Sequence, residues 1–249
     1  MSGEVLFEAA VVVICLAAGG LLKGATGAGA PILAVPALAA FFDVRFAVVV
    51  MLIPNIATNS WQAWRFREHL PERGFMVPLL VGGGIGILVG TLMLKSFSPD
   101  ALSLLVAFAV FGYVGLRLAR PHWRLRMDMA KLLALPAGAA AGLLQGAAGL
   151  SAPVSITFLN ALQMRREAFI AAISIFFATF TAIQIASVTV GGLIRPGELC
   201  YSLFALLPVS LAMPAGARLA KRISAAALDR VILAILCLLA VKLLIDAVA

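Results

Sequence analysis

The sequence predicts an all-α integral membrane protein built from two inverted repeats, each a short-helix, re-entrant-like hairpin followed by three transmembrane helices. Three observations carry that prediction. Of the 249 residues, 63% are hydrophobic and 12% charged, with a mean hydropathy of +1.09. Soluble domains carry about a quarter charged residues, and a chain this apolar has too little polar surface to cover itself in water. Apolar segments of membrane-spanning length recur along the chain. Finally, GLLKGATGAGAP, from Gly20 to Pro31, returns as GLLQGAAGLSAP from Gly142 to Pro153, with eight of twelve positions identical.

The first repeat covers 1–124. Its hairpin, 5–42, holds apolar segments 5–22 and 31–42, and its spans are 46–64, 75–94 and 100–117. The second repeat covers 125–249. Its hairpin, 131–164, holds segments 131–144 and 152–164, and its spans are 167–190, 199–218 and 225–246. A bilayer crossing needs about 17–20 apolar residues. The three spans of each half meet that length. Segments 31–42, 131–144 and 152–164 are too short, and 5–22 is borderline. The halves align at an offset of 122, which pairs Lys23 with Gln145, Asn59 with Thr181 and Gln62 with Gln184. Later the offset becomes 126, pairing Gly90 with Gly216, Lys95 with Lys221 and Leu102 with Leu228.

Orientation follows from the basic residues of short loops, which stay cytoplasmic. Arg65, Arg67 and Arg73 fill one loop. Arg117, Arg120, Arg124, Arg126 and Lys131 fill another, and Arg218, Lys221 and Arg222 a third. The turns near Lys95 and Arg195 hold one cation each. This predicts a multi-pass topology with both termini outside, Asp43 and Arg45 outside, and Arg165 and Arg166 inside. The hairpins then enter from opposite faces. Trp61 and Trp64 suit an interfacial belt. The start MSGEVLFEAA carries Glu4 and Glu8 instead of the cations of a signal peptide, so the first apolar run is expected in the mature protein.

The net charge of +8 does not point to nucleic acid, because the cations are scattered over short loops. Cys15, Cys200 and Cys237 sit in apolar runs without metal or disulfide spacing. His69 and His122 lie in basic loops, and neither HExxH, GxSxG nor an intramembrane acidic pair occurs. The expected protein is not an enzyme and uses no cofactor and no metal. Its expected partners are the lipid bilayer and a small anionic substrate, with a homo-oligomer left open. A channel and a non-transporting assembly protein also stay open.

Interrupted helices in inverted repeats are a plan of secondary transporters. Backbone left unpaired at membrane depth survives only where protein or a water-filled cavity satisfies it. Two opposed hairpins are expected to bring their glycine-rich tips together near the midplane. There the N-terminus of each second arm offers N–H groups and a positive dipole end to an anion. The candidate substrate-binding residues of the first tip are Lys23, Gly24, Thr26, Gly27, Gly29 and Ala30. Those of the second are Gln145, Gly146, Gly149, Ser151 and Ala152. Ser151 is the expected N-cap of its helix. The following helices add Asn55, Asn59 and Gln62, which share one face with Thr58, and Thr181 and Gln184 from the other half. A tight turn or a close helix contact is the plainer reading of each glycine-rich stretch. For Lys23 the plainer reading is a shallow tip whose amine snorkels to water. Gly82, Gly86 and Gly90, four apart, read as a packing seam.

The Gly20–Pro31 stretch, the apolar run to Pro36, the helix FAVVVMLIPNIATN and the degenerate second copy together resemble the sulfite exporter TauE/SafE family. The resemblance extends over nearly the whole chain. It implies an inner-membrane transporter of small sulfur-containing anions such as sulfite or organosulfonates, generally an exporter driven by an ion or proton gradient. Another small anion, such as a carboxylate, is the alternative substrate. The second copy departs from the first with Leu150-Ser151 in place of Ala28-Gly29.

Overall fold

The computed structural model describes residues 3–119, 124–195, 197–220, 222 and 225–248, with backbone alone for 3–8, 225, 226, 228 and 229. Arg120, His122 and Lys221, and the side chains of Glu4, Glu8, Leu228 and Asp229, lie outside the described residues. All described elements are helices. They are α1 (Gly3–Thr26), α2 (Ala30–Phe41), α3 (Val44–Arg65), a 3-10 turn (Arg67–His69), α4 (Arg73–Ser96) and α5 (Pro99–Ala119). The second half gives α6 (Met127–Ala148), α7 (Ala152–Ala161), α8 (Arg166–Val190), α9 (Glu198–Leu219) and α10 (Ala225–Val248). Eight of the ten α-helices, all except α2 and α7, are long and apolar enough to cross a bilayer. Their outward faces carry large apolar side chains such as Leu92, Leu132, Leu203 and Leu211. The chain is a multi-pass membrane protein.

One expectation is corrected. The first arm of each hairpin is a full-length helix, 24 residues in α1 and 22 in α6. Hydropathy breaks the segments at their glycines and at Gln145, but a helix satisfies its backbone internally whatever its side chains. Only the returning arms α2 and α7 are short.

The glycines explain how the spans pair. A Cβ on Gly82, Gly86 or Gly90 of α4 would sit 2.1–2.2 Å from the carbonyl oxygens of Leu135, Ala139 and Leu143 on α6. From the other side, Gly138, Gly142 and Gly146 meet the carbonyls of Leu79, Gly83 and Ile87. Partner numbers rise together, so α4 and α6 run parallel. The seam expected at Gly82, Gly86 and Gly90 is there. The same contact joins α1 to α9, where Gly20 meets Val209, Gly24 meets Met213, and Gly216 meets Leu21. Exchanging α1–α5 with α6–α10 turns the α1–α9 contact into α6–α4, and α3–α9 into α8–α4, while α3–α8 and α5–α10 map onto themselves.

Local chemistry sets the helix ends. Asp43 Oδ1 accepts from Phe46 N at 2.8 Å and caps α3. Arg45 Nε donates to Leu94 O and Nη2 to Phe97 O, neutralising open carbonyls at the end of α4. Pro54 lacks the N–H that would reach Val50 O. Ser202 Oγ of α9 donates to that carbonyl and accepts from Ile53 N, both at 3.0 Å. The interruption in α3 is thus closed by a neighbouring helix.

Gly142→Ala forces a Cβ to within 2.1 Å of Gly83 O. It is expected to destabilise the detergent-purified protein by about 1–3 kcal/mol, the usual cost of overpacking, read as a lowered melting temperature. Gly112→Ala, which meets nothing within 4 Å, should leave stability unchanged or raise it by up to about 1 kcal/mol.

Candidate functional site

Each hairpin turns on the same backbone device. α1 ends at Thr26 and Gly27 follows with φ +83°, while α6 ends at Ala148 and Gly149 follows with φ +66°. This left-handed conformation suits glycine. Gly27 N donates to Lys23 O at 2.8 Å, and Gly149 N to Gln145 O at 2.7 Å. These are αL-type caps, and they hold Lys23 and Gln145 in the last turns of their helices. The tips then diverge. Gly29 also has positive φ, whereas Ser151 is right-handed at φ −80°. Ser151 stands at the N-cap of α7 as expected, but its hydroxyl does not cap the helix. It donates instead to Gln145 Oε1 at 2.7 Å.

Two polar clusters result. In the first, Lys23 Nζ donates to Asn59 Oδ1 on α3, and Asn59 Nδ2 donates to Asn55 O at 2.9 Å. Lys23 is 0% exposed, so it does not snorkel. In the second, Gln145 Nε2 donates to Gln184 Oε1 on α8 at 2.7 Å, and Gln184 Nε2 donates back to Gln145 O at 2.6 Å. This second cluster satisfies itself. Thr181, one turn before Gln184, donates to Phe177 O within its own helix.

The clusters do not meet at the midplane, contrary to the expectation from the sequence. Gly149 lies beside Val48 of α3, while Lys23 bonds Asn59 of the same helix. Those α3 residues are eleven apart, about 16 Å at 1.5 Å per residue. On α8, Gly27 lies against Ile170 and Gln145 bonds Gln184, about 21 Å apart by the same rise. Because α1 and α6 are full-length, each carries its tip past the centre toward the far side.

The first tip adjoins a cavity of about 580 Å³. Gly24 and Gly27 form part of its wall, with Thr58 and Gln62 of α3 and Ser210 of α9. Arg166, the first residue of α8, and Trp61 stand there too. The remaining wall is mostly apolar, including Leu206, Met213 and Pro214. Lys23 and Asn59 sit immediately behind this lining. Gln62 Oε1 and Asn55 Oδ1 are buried without a hydrogen-bond partner, and rotating either amide presents an NH₂ donor at the same point. The lining holds one cation, Arg166, with the polar side chains of Gln62 and Ser210, and none of the lining residues is acidic, a set that can receive an anion.

The expected residues therefore separate. Gln62 lines the cavity, while Lys23, Asn59 and Asn55 form a buried hydrogen-bonded chain that does not line it. Gln145, Ser151 and Gln184 form the second cluster. Gly24 lies in a helix seam at the cavity wall, and Gly146 lies in the α4–α6 seam. Ala30 and Ala152 are 1% exposed and packed in the core. Thr26, with its Oγ1 2.9 Å from Leu22 O, and Gly29 face a second, smaller chamber. Arg166 and Ser210 were not expected at the site. Arg166 reads as a loop cation, and Ser210 stands alone in an apolar run, so neither carries a signal in sequence.

Lys23 and Asn59 should behave as a coupled pair. Asn59→Leu removes the one acceptor that Nζ reaches among the described residues and is expected to cost about 1–3 kcal/mol in denaturation experiments. Adding Lys23→Met should recover most of that loss, since removing both partners leaves no orphaned group.

No curated protein and no solved structure matches the chain. The model of one family does, sulfite exporter TauE/SafE, and the match runs over residues 11–243. With eight apolar helices, duplicated hairpins and an anion-suited cavity already in view, that match makes this chain a member of the TauE/SafE family of membrane transporters for sulfite-type anions.

Proposed function

We propose that this protein is a secondary transporter that exports sulfite or a short organosulfonate across a bacterial-type inner membrane by alternating access. The carrying observation is Lys23: a fully buried amine whose one side-chain hydrogen-bond acceptor among the described residues is the neutral Asn59, set behind an open cavity. An ionisable residue inside a membrane bundle is costly and marks a substrate path. Here the missing partner is negative, and the bound anion supplies it. Arg166 draws the anion to the cavity, and Gln62 and Ser210 replace part of its hydration. The apolar walls at Leu206, Met213 and Pro214 accommodate a short carbon arm, which favours a sulfonate over bare sulfite.

The duplicated sequence and the exchange-related helix contacts support two inverted repeats that rock against one another. In that motion α3 and α8, which contact each other directly, lie at the pivot. The self-satisfied Gln145–Gln184 pair supports a closed state on its side, and the cavity beside Gln62 an open state on the other. Basic residues cluster at the open side, at Arg65, Arg166 and Arg218, which supports reading it as cytoplasmic, with both termini outside.

The test is flux in proteoliposomes with sulfite, sulfoacetate, sulfate and acetate. Saturable flux of sulfite or sulfoacetate is expected, and Lys23→Met should lower it at least about tenfold, the scale of a lost charge-assisted hydrogen bond. Arg166→Gln should raise the half-saturating concentration with little change in maximal flux. Unchanged flux in Lys23→Met overturns its role, and linear, non-saturating flux overturns alternating access. Preference for acetate overturns the sulfur-anion reading.

A further inference from the structure

The open cavity has a closed counterpart in the other half. Its wall comes from the first tip, α3, the start of α8 and α9. At the offsets of 122 and 126, the corresponding positions belong to the second tip, α8, the start of α3 and α4. The packing follows the same offsets. Gly20 against Val209 and Gly24 against Met213 map onto Gly142 against Gly83 and Gly146 against Ile87. Ile87, Val48 and Phe180 stand where Met213, Ile170 and Thr58 line the open cavity, and each is at most 1% exposed.

Two of these positions differ in a way that dry packing does not require. The first is Phe180. Its counterpart Thr58 is small and borders open space, whereas Phe180 fills the same place with a phenyl ring. The ring occupies the position that a Cβ on Gly83 of α4 would take, so α4 provides a seat for it. It also lies against Phe176, one turn earlier on α8, with ring centroids 3.8 Å apart. The open half pairs Thr58 with Val209 at the corresponding positions, and the closed half pairs Phe180 with Gly83. The second position is Thr91, which corresponds to Ala217 in the cavity wall. Its backbone N lies 2.8 Å from where a Cβ on Gly146 would sit, beside the second tip. Thr58 and Thr181 each donate to the carbonyl one turn back, but Thr91 Oγ1 is buried without a hydrogen-bond partner among the described residues. A hydroxyl in that state costs free energy that water would return, and Ala217 shows that the position itself needs no hydroxyl.

We propose that the second half holds a latent vestibule for the transported ion, walled by α4, α8 and the second tip, and that Phe180 is the plug that closes it. The proposal rests on the alternating-access part of the reading above and not on which anion is carried. The ring sits on Gly83 while the cavity beside Gln62 is open. Rocking of the repeats separates α4 from α8, the ring leaves its seat, and Thr91 becomes part of a wetted wall as Ala217 is on the open side. The orphaned hydroxyl favours that second state and the seated ring favours the first, which keeps both within reach of a modest population shift.

The test is thiol labelling of the detergent-purified full chain with a water-soluble maleimide, after Cys15→Ala, Cys200→Ser and Cys237→Ala remove the native free thiols. Thr91→Cys reports the latent vestibule and Ser210→Cys the open cavity. In that background Ser210→Cys should react quickly and Thr91→Cys slowly. Phe180→Thr, which installs the side chain of the open half, should speed labelling of Thr91→Cys at least about tenfold, because the rate follows the opened population. It should not speed labelling of Ser210→Cys. Gly83→Ala keeps the ring but fills its seat, and should act in the same direction. Phe180→Met, close in volume, should stay within about threefold of the background rate. A Thr91→Cys rate unmoved by Phe180→Thr overturns the inference. So does a rise that Ser210→Cys matches, which marks general loosening. Selective opening in a protein that moves none of the four anions sinks the substrate reading and leaves the latent vestibule standing. Saturable flux with Thr91→Cys unmoved keeps the transport reading and sinks the plug.

Discussion

The structure depends first on the backbone-to-backbone contact of α1 with α9 and of α4 with α6. Water is absent from the bilayer interior, so burying apolar surface does not draw helices together there. Close van der Waals packing and interhelical hydrogen bonds do that work, and glycine permits the closest approach. In the α4–α6 seam three glycines on each helix sit over carbonyls of the other, leaving no room for a methyl group. Both seams join the first half of the chain to the second. The halves are therefore held together by the pairs that also carry the two hairpin tips, since α1 and α6 end in them.

From that constraint follows the position of the polar groups. A helix that ends inside a bundle leaves carbonyls and N–H groups open, and each tip closes its own with an αL glycine. The side chain one turn earlier then points at a neighbouring helix. In the second half that side chain is Gln145, which finds a matching amide in Gln184 and completes its hydrogen bonding. In the first half it is Lys23, which among the described residues reaches an amide oxygen and no carboxylate. Similar scaffolds thus produce a closed polar lock in one half and an amine with a neutral partner in the other. The difference between the two clusters follows from matched positions that differ, Lys23 against Gln145, Asn59 against Thr181 and Gly29 against Ser151.

Much of the architecture was legible in the sequence. Composition alone requires a membrane, and the repeated Gly-rich stretch locates both interruptions. The spacing of Gly82, Gly86 and Gly90 marks a seam. The lengths of α1 and α6 were misread for a physical reason. Hydropathy measures side-chain transfer to lipid, and glycine and glutamine score poorly whether or not a helix continues through them. Helix continuity depends instead on backbone hydrogen bonds inside the helix, which glycine and glutamine both permit. The midplane meeting of the tips failed with it, because a longer first arm carries each tip further.

By itself the sequence determined the membrane environment, the duplication, the two breaks and the sign of the expected ligand, since each depends on residue type and spacing along the chain. Only the tertiary structure decided which polar groups face one another. Arg166 joins the cavity because α8 begins beside the first tip, and Ser202 serves Val50 because α9 crosses α3 at Pro54. Arg117 and Asn160 share a chamber because α5 and α7 close around it. These pairings are long-range, and linear spacing says nothing about distances across a bundle whose helices can pack in many orders.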